Sequence, residues 1–350
     1  MINVSKAQTG FAGLVGFEDP TDPAYAIVSS DNKKSISGLY YTDNPLVKIQ
    51  FLKDIQDYAE ISNQDFNTYL QSIHNRSVGN VLNKVHNEPD YIDRSPLYRY
   101  ANNKTEIESL PVGFKGYRII PSQKNVAFEI SRIIIELSEQ ATFTLYLFNS
   151  AKNEAVESKE ITASSGFHAE DLGWVLDDTD SYFKGEYLLG YFADLKPYKR
   201  EYDFSDIKAQ YNGVYIEAVT YSGTGTTIPD LDNEESSELS FGLNPDITTY
   251  KDYTDLSIQN KRLFAKAVQL QGQINILSNY LATSRTNRST RITRDLINQA
   301  TVELEGRNAE GITKVGLKDK LKGEINHIQA EIGKLNEGYK PKGLNVRVAN

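Results

Sequence analysis

Apolar residues follow three different rhythms along this chain. From residue 44 to 87 they recur at helical spacing: Leu46, Ile49, Leu52, Ile55 and Ala59, then Phe66, Leu70, Ile73, Val78, Val81, Leu82 and Val85. Asn44-Pro45 opens the stretch as a cap followed by proline at the first helical position. Ser62-Asn63-Gln64-Asp65 offers a second start in the manner of a capping box, and Glu88-Pro89 should stop the helix. Between residues 106 and 223 the rhythm changes to alternation. Phe128, Ile130, Arg132, Ile134 and Glu136 interleave with Glu129, Ser131, Ile133, Ile135 and Leu137, a mostly two-sided, β-branched run. Residues 142–148, 155–163, 167–176, 186–192 and 213–221 continue the series, with turn residues between them. Short strands at such intervals predict a sandwich or jelly roll.

After residue 246 the helical rhythm returns as two heptad seams. The first runs through Leu256, Leu263, Ala267, Leu270, Ile274, Leu277 and Leu281, with Asn260 as its polar member. The second runs through Leu317, Leu321, Ile325, Ile328, Ile332 and Leu335. Gly306 and Gly316 bracket the interruption between them, and Gly338 with Pro341 ends the second. The seams suit either a hairpin within one chain or helices shared between chains. Both ends of the chain read differently. Gly16-Phe17-Glu18-Asp19-Pro20-Thr21-Asp22-Pro23 reads as loop, so residues 1–43 are expected to be an extended arm with at most short strands. Lys342-Gly343-Leu344-Asn345-Val346-Arg347-Val348-Ala349-Asn350 alternates like a short β-arm.

The predicted class is therefore α+β. A central β-sandwich or jelly-roll-like domain (106–223) is flanked by an N-terminal helical region (44–105) and a long C-terminal helical hairpin (247–338). Arms at 1–43 and 339–350 and an acidic linker at 224–246 complete the division.

Composition narrows the chemistry. The 350 residues include no Cys, which excludes disulfides, thiolate zinc sites, Fe–S clusters and thiol nucleophiles. No run approaches the apolar length of a membrane span. Met1-Ile2-Asn3-Val4-Ser5 lacks the basic and apolar regions of a secretory signal. The formal charge of −9 hides a polarity: residues 177–255 hold 17 acids and 6 bases (−11), whereas residues 256–350 hold 8 acids and 16 bases (+8). Such a chain can join head-to-tail with copies of itself or with a partner of opposite sign, unless the charges only solvate separate surfaces. Arg285, Arg288, Arg291 and Arg294 form a basic ladder that spirals on a helix. A solvated face, an acidic protein partner and phosphate contact all fit it, although no interleaved aromatics support single-strand binding.

No catalytic constellation emerges. His74, His86, His168 and His327 do not fall at metal-ligand spacing. There is no Gly-x-Ser-x-Gly and no P-loop, since Gly223-Thr224-Gly225-Thr226-Thr227 lacks the lysine. The oxygen-rich runs Asp177-Asp178-Thr179-Asp180 and Asp230-Leu231-Asp232-Asn233-Glu234-Glu235 miss the EF-hand spacing and read as solvated turns or a loop calcium site. Trp174 with Tyr182, Phe183, Tyr187, Tyr191, Phe192, Tyr198 and Tyr202 suits a sandwich core, a wet interface or a sugar-binding platform.

Several phrases carry a resemblance. Asn44-Pro45-Leu46-Val47, Pro89-Asp90-Tyr91-Ile92-Asp93-Arg94, Gly113-Phe114-Lys115-Gly116-Tyr117-Arg118-Ile119, Lys184-Gly185-Glu186-Tyr187-Leu188-Leu189-Gly190-Tyr191 and Gly242-Leu243-Asn244-Pro245-Asp246 are similar to uncharacterised virion structural proteins of tailed bacteriophages, including crAss-like phages. The resemblance spans residues 14–285 and transfers no functional residue. It implies a non-enzymatic part of the neck, head-to-tail connector or tail, located in the virion and assembled in the host cytoplasm. The implied partners are copies of itself and other virion proteins, with no cofactor, no membrane and no direct reading of nucleic acid. The heptad residues would line the oligomer interface and the Arg ladder would meet a charged partner. The alternative is a receptor- or glycan-binding fibre module with a β-sandwich head and trimerising helices.

Overall fold

The computed structural model describes residues 2–20, 26–50, 52–53, 65–87, 91–97, 105–107, 110, 112–121, 126–150, 154–176, 186–199, 214–222, 229, 234–237, 240–284, 291–309 and 312–337. The fold is α+β, with two antiparallel sheets and a set of helices. The chain divides into two compact units. One is a β unit of residues 88–253, and the other is a helical unit that joins residues 2–87 to residues 254–350. The β unit is thus an insertion within the sequence of the helical one.

In the β unit a four-stranded sheet has the order β1 (Tyr91–Pro96), β12 (Leu243–Lys251), β4 (Val126–Leu137), β7 (Gly166–Leu176). A six-stranded sheet has the order β11 (Glu234–Ser237), β10 (Val214–Tyr221), β3 (Phe114–Pro121), β8 (Tyr187–Tyr191), β5 (Ala141–Asn149), β6 (Ala155–Ala163). A short pair, β2 (Thr105–Glu106) with β9 (Tyr198–Lys199), forms a separate ladder that is tied to the end of β4 by a bridge between Leu137 and Pro197. Both sheets feed one apolar cluster. Phe128, Ile130, Ile133 and Trp174 come from the first, and Tyr117, Leu145, Leu189 and Ile216 from the second. Phe128 meets Tyr187 edge-on, with ring centroids 5.4 Å apart. That arrangement accounts for the excess of β-branched and aromatic residues, which fill pleated, buried surfaces well.

Simple alternation misreads β4. It would group Arg132, Ile134 and Glu136 with Phe128. Instead, pairing with β12 and with β7 shifts register between Ile130 and Arg132. Against β12 the extra residue is Ser131, which turns Ile133 and Ile135 inward with Phe128 and Ile130, whereas against β7 the extra residue lies on β7, at Leu172 and Gly173. β12 departs further from the sequence reading, which divided it between the acidic linker and the start of the hairpin. Pro245 argues against a central strand because it cannot donate to the ladder. It sits beside the bulge at Asp246 and Ile247, and its carbonyl accepts from Leu97 N–H. β1 likewise falls in the stretch assigned to the N-terminal helical region.

The helical unit comprises α1 (Val4–Gly10), α2 (Ser30–Lys33), a 3-10 turn (Tyr41–Asp43), α3 (Phe66–Val85), α4 (Thr254–Gln259), α5 (Lys261–Ser284), α6 (Arg291–Glu305), the hairpin β13 (Arg307–Ala309) and β14 (Ile312–Lys314), and α7 (Leu317–Glu337). Where the sequence suggested an extended arm, α1 is helical. The Asn3 side chain caps it by accepting from Lys6 N–H, and Ala7 is buried. α3 starts at Asp65, whose carboxylate accepts from Asn67 and Thr68 N–H. Gln329 of α7 donates to the Lys84 and Val85 carbonyls in the last turn of α3, where helix carbonyls otherwise lack partners. α5 packs on α3, α6, α7 and the 3-10 turn. It is buried almost all round from Phe264 to Leu277, as expected of a central helix.

Candidate interaction surface

The seam residues lie within this helical unit. Leu256, Leu270, Ile274, Leu277, Leu317, Leu321, Ile325, Ile328 and Ile332 are buried in the single chain. Leu263 and Leu281 are half-buried, and Leu335 is exposed. α5 and α7 pack against each other within the chain. Arg285 and Arg288 lie outside the described residues. Arg291 and Arg294 occupy the first turn of α6.

A polar network that the heptad pattern hid runs along α5. Gln269, Gln271 and Gln273 are buried. Gln269 Nε2 donates to the Tyr40 carbonyl and to Asp43 Oδ2, at 2.7 and 2.5 Å. Gln273 Nε2 donates to the Tyr41 carbonyl, and Gln271 Oε1 accepts from Lys84 Nζ. The sequence signal was glutamine at i and i+4 flanking an apolar seam. On a helix enclosed on every side, a long amide reaches a backbone partner where a short side chain would leave it unpaired. His74 belongs to the same region. Its Nε2 faces the Phe11 carbonyl at 3.1 Å and its Nδ1 faces Tyr41 Oη at 3.0 Å. The carbonyl can only accept, so Nε2–H donates to it and, in the neutral ring, Nδ1 accepts from the Tyr41 hydroxyl. Burial holds the imidazole pKa below its ordinary value and pushes the Tyr41 phenol up. His86 Nε2 lies 3.2 Å from Ser257 Oγ, and burial brings its pKa down to about 4.

These groups are engaged in contacts within the fold. Both His74 nitrogens are used in structure, and His327 is exposed. Lys115 is buried, and burial lowers its pKa, but its ammonium donates to the Phe192 and Ala193 carbonyls. Among the described residues no three His, Asp or Glu side chains gather as a metal set. The runs at residues 177–180 and 223–227 lie outside the described residues, as do Asp230, Asp232, Asn233, Tyr182, Phe183 and Tyr202. Trp174, Tyr187 and Tyr191 are buried in the β core, so these three rings do not form a sugar platform.

The flank of the β unit is different. β7 ends the four-stranded sheet and β6 ends the six-stranded one. Among the described residues, each strand pairs on one side only. Phe167 is 51% exposed and Val175 44%, and Ala169 and Asp171 are exposed between them. The two edges are bridged by side chains. Lys159 of β6 donates to the Asp171 carbonyl at 2.7 Å and lies 2.6 Å from Glu170 Oε1. Glu170 Oε2 faces His168 Nε2 at 3.3 Å. Lys159 first, and then His168, hold the Glu170 carboxyl below the usual carboxylate range. Residues 154–176 carry Glu154, Glu157, Glu160, Glu170 and Asp171 against Lys159, so this flank is acidic.

The chain matches no family model, no curated protein and no solved structure.

Proposed function

We propose that this chain is a non-enzymatic structural component of a tailed-phage particle, placed in the neck, connector or tail and working as one copy in a symmetric assembly. The observation that carries this reading is the acidic flank formed by β6 and β7, two long strands that each end a sheet. A strand at a sheet edge presents unpaired backbone groups to another chain. The chain's charge polarity supplies a basic counterpart, with −11 over residues 177–255 and +8 over residues 256–350. Oppositely charged surfaces steer association and fix register between copies, and heterologous contacts close a ring when the rotation permits. In this reading the two sheets are a jelly-roll-like sandwich that forms the body of the part. α5 and α7 form a helical hairpin, with α6 and the β13–β14 ribbon at its bend, and the hairpin stiffens the copy.

The experiment is localisation. Antibody raised against the purified chain should decorate the neck or tail of particles made from the genome that encodes it. Particles that contain no copy of the chain by mass spectrometry overturn the reading. Static light scattering gives a second check: mass should rise with concentration and fall as salt is raised, because exposed charges are screened beyond about 10 Å at 0.1 M salt.

A further inference from the structure

We propose that the outer edge of β7 accepts an added strand from a second copy of this chain, namely the segment of residues 342–349. The inference rests on the self-assembly reading above and names the contact through which copies would join. Three observations support it.

First, the direction of the backbone groups is fixed. In an antiparallel pair, alternate residues point both N–H and C=O away from the partner. Lys159 reaches the Asp171 carbonyl from β6, on the side of β7 opposite to β4. Asp171 therefore points outward, and so does Ala169, two residues away on the same side of the bulge. Secondly, the outer face of that strand is accessible, with Ala169, Asp171 and Val175 exposed. An added strand would continue the four-stranded sheet at this edge, with its own side chains beside these on the same face, the arrangement of β-augmentation. Thirdly, the occupant matches in pattern and sign. Leu344, Val346 and Val348 alternate with Asn345 and Arg347, so one face is apolar and the other polar. Residues 338–350 contain Lys340, Lys342 and Arg347 and no acid, against five acids and one lysine in residues 154–176.

Lys159 is the competitor. Charged side chains that point inward at an edge are a common guard against strand pairing. An incoming strand takes over the Asp171 carbonyl, and Lys159 keeps Glu170. The hydrogen bond lost is exposed, so the guard sets a threshold for addition and does not forbid it.

The test uses the full-length chain and a fluorescent peptide of residues 340–350. Anisotropy should show saturable binding at micromolar peptide, weakened at least fivefold between 50 and 500 mM salt. Ala169→Pro should abolish it. Proline at an outward-facing edge position removes no bond to β4, so unchanged circular dichroism is expected. Asp171→Lys should weaken binding at least tenfold, and this second variant decides the matter if Ala169→Pro misfolds. Equal binding by wild type and both variants, or no saturation at millimolar peptide, overturns the proposal. Copies that still associate in light scattering while the peptide fails would sink this contact alone and leave the assembly reading standing. Full-length chain that stays monomeric at every concentration overturns both, because copies then do not meet through this edge even where the free peptide binds.

Discussion

Tyr41 shows how tightly single residues constrain the helical unit. Its ring lies against Gly272 of α5 so closely that a Cβ there would sit 2.1 Å from the ring carbon Cε1. Gly272→Ala therefore sets two effects against each other. Helix propensity gains about 1 kcal/mol. Overpacking against a ring that is fully buried costs about 1–3 kcal/mol or more. The second wins, because Tyr41 is held by His74 and by Gln273 and has no room to withdraw. A lower urea midpoint with an unchanged slope is the expected outcome, and a raised midpoint would refute the packing account. His74 and His86 add a pH dependence of definite sign. Both are neutral in the fold, with pKa values held below 6.5 by burial. The unfolded chain binds protons first, so their contribution is complete above about pH 6.5. It is lost as pH falls toward the folded values. For His86, whose folded value is about 4, the loss between pH 7 and 5 is about 2 kcal/mol. Unfolding titrations at the two pH values should show it, and His86→Gln should flatten the slope.

At the scale of elements, the turn before β12 carries the most unusual backbone. Phe241 and Gly242 both have positive φ, 50° and 69°, and Leu243 N–H closes the turn on the Ser240 carbonyl at 2.9 Å. Two central residues at positive φ match the primed hairpin geometry, which ordinarily avoids a bulky residue. Here Phe241 is buried in the β core. The Tyr117 hydroxyl reaches the Ser240 and Leu243 carbonyls, at 2.9 and 2.6 Å, and the Tyr191 hydroxyl donates to the Phe241 carbonyl at 2.9 Å. Tyr117→Phe removes the hydroxyl from which those carbonyls accept and should cost about 1–3 kcal/mol. A calorimetric midpoint equal to that of wild type would show that the hydroxyl does not hold the turn.

These same elements mark what the sequence could and could not reveal. Strands 155–163, 167–176 and 213–221 were legible because their alternation is local, and the structure returns them within a residue. The long helices were legible from their seams. β12 was not, because its place depends on a bulge and a turn that only its neighbours define. The Tyr41–His74–Gln273 network was equally hidden, since its members lie more than 30 residues apart and polar residues in a pattern read as exposed. Nothing in the local pattern singles out Lys159, and its role comes from its side-chain contacts to Glu170 and the Asp171 carbonyl across the ends of two different sheets.

For the whole molecule, two separate cores predict two heat-absorption peaks in scanning calorimetry. Gly272→Ala and His86→Gln should move one, and Tyr117→Phe the other. A single peak shifted by all three variants would show that the units unfold as one.

The insertion of the β unit also bears on how the chain is made. Asn3 N–H donates to Thr254 Oγ1, and Gly10 accepts from Lys261 Nζ, each across 251 positions. On a ribosome the segment of residues 2–87 emerges first, yet its central helix α5 emerges only after residues 88–253. At roughly 5–20 residues per second that interval is about 8–30 seconds. Through it, Phe11, Tyr41 and the apolar face of α3 lack the partners that later bury them. The β unit, complete at residue 253, can fold in the meantime. Residues 2–87 are thus made before the β unit and finished after it, and a chaperone would find its client there.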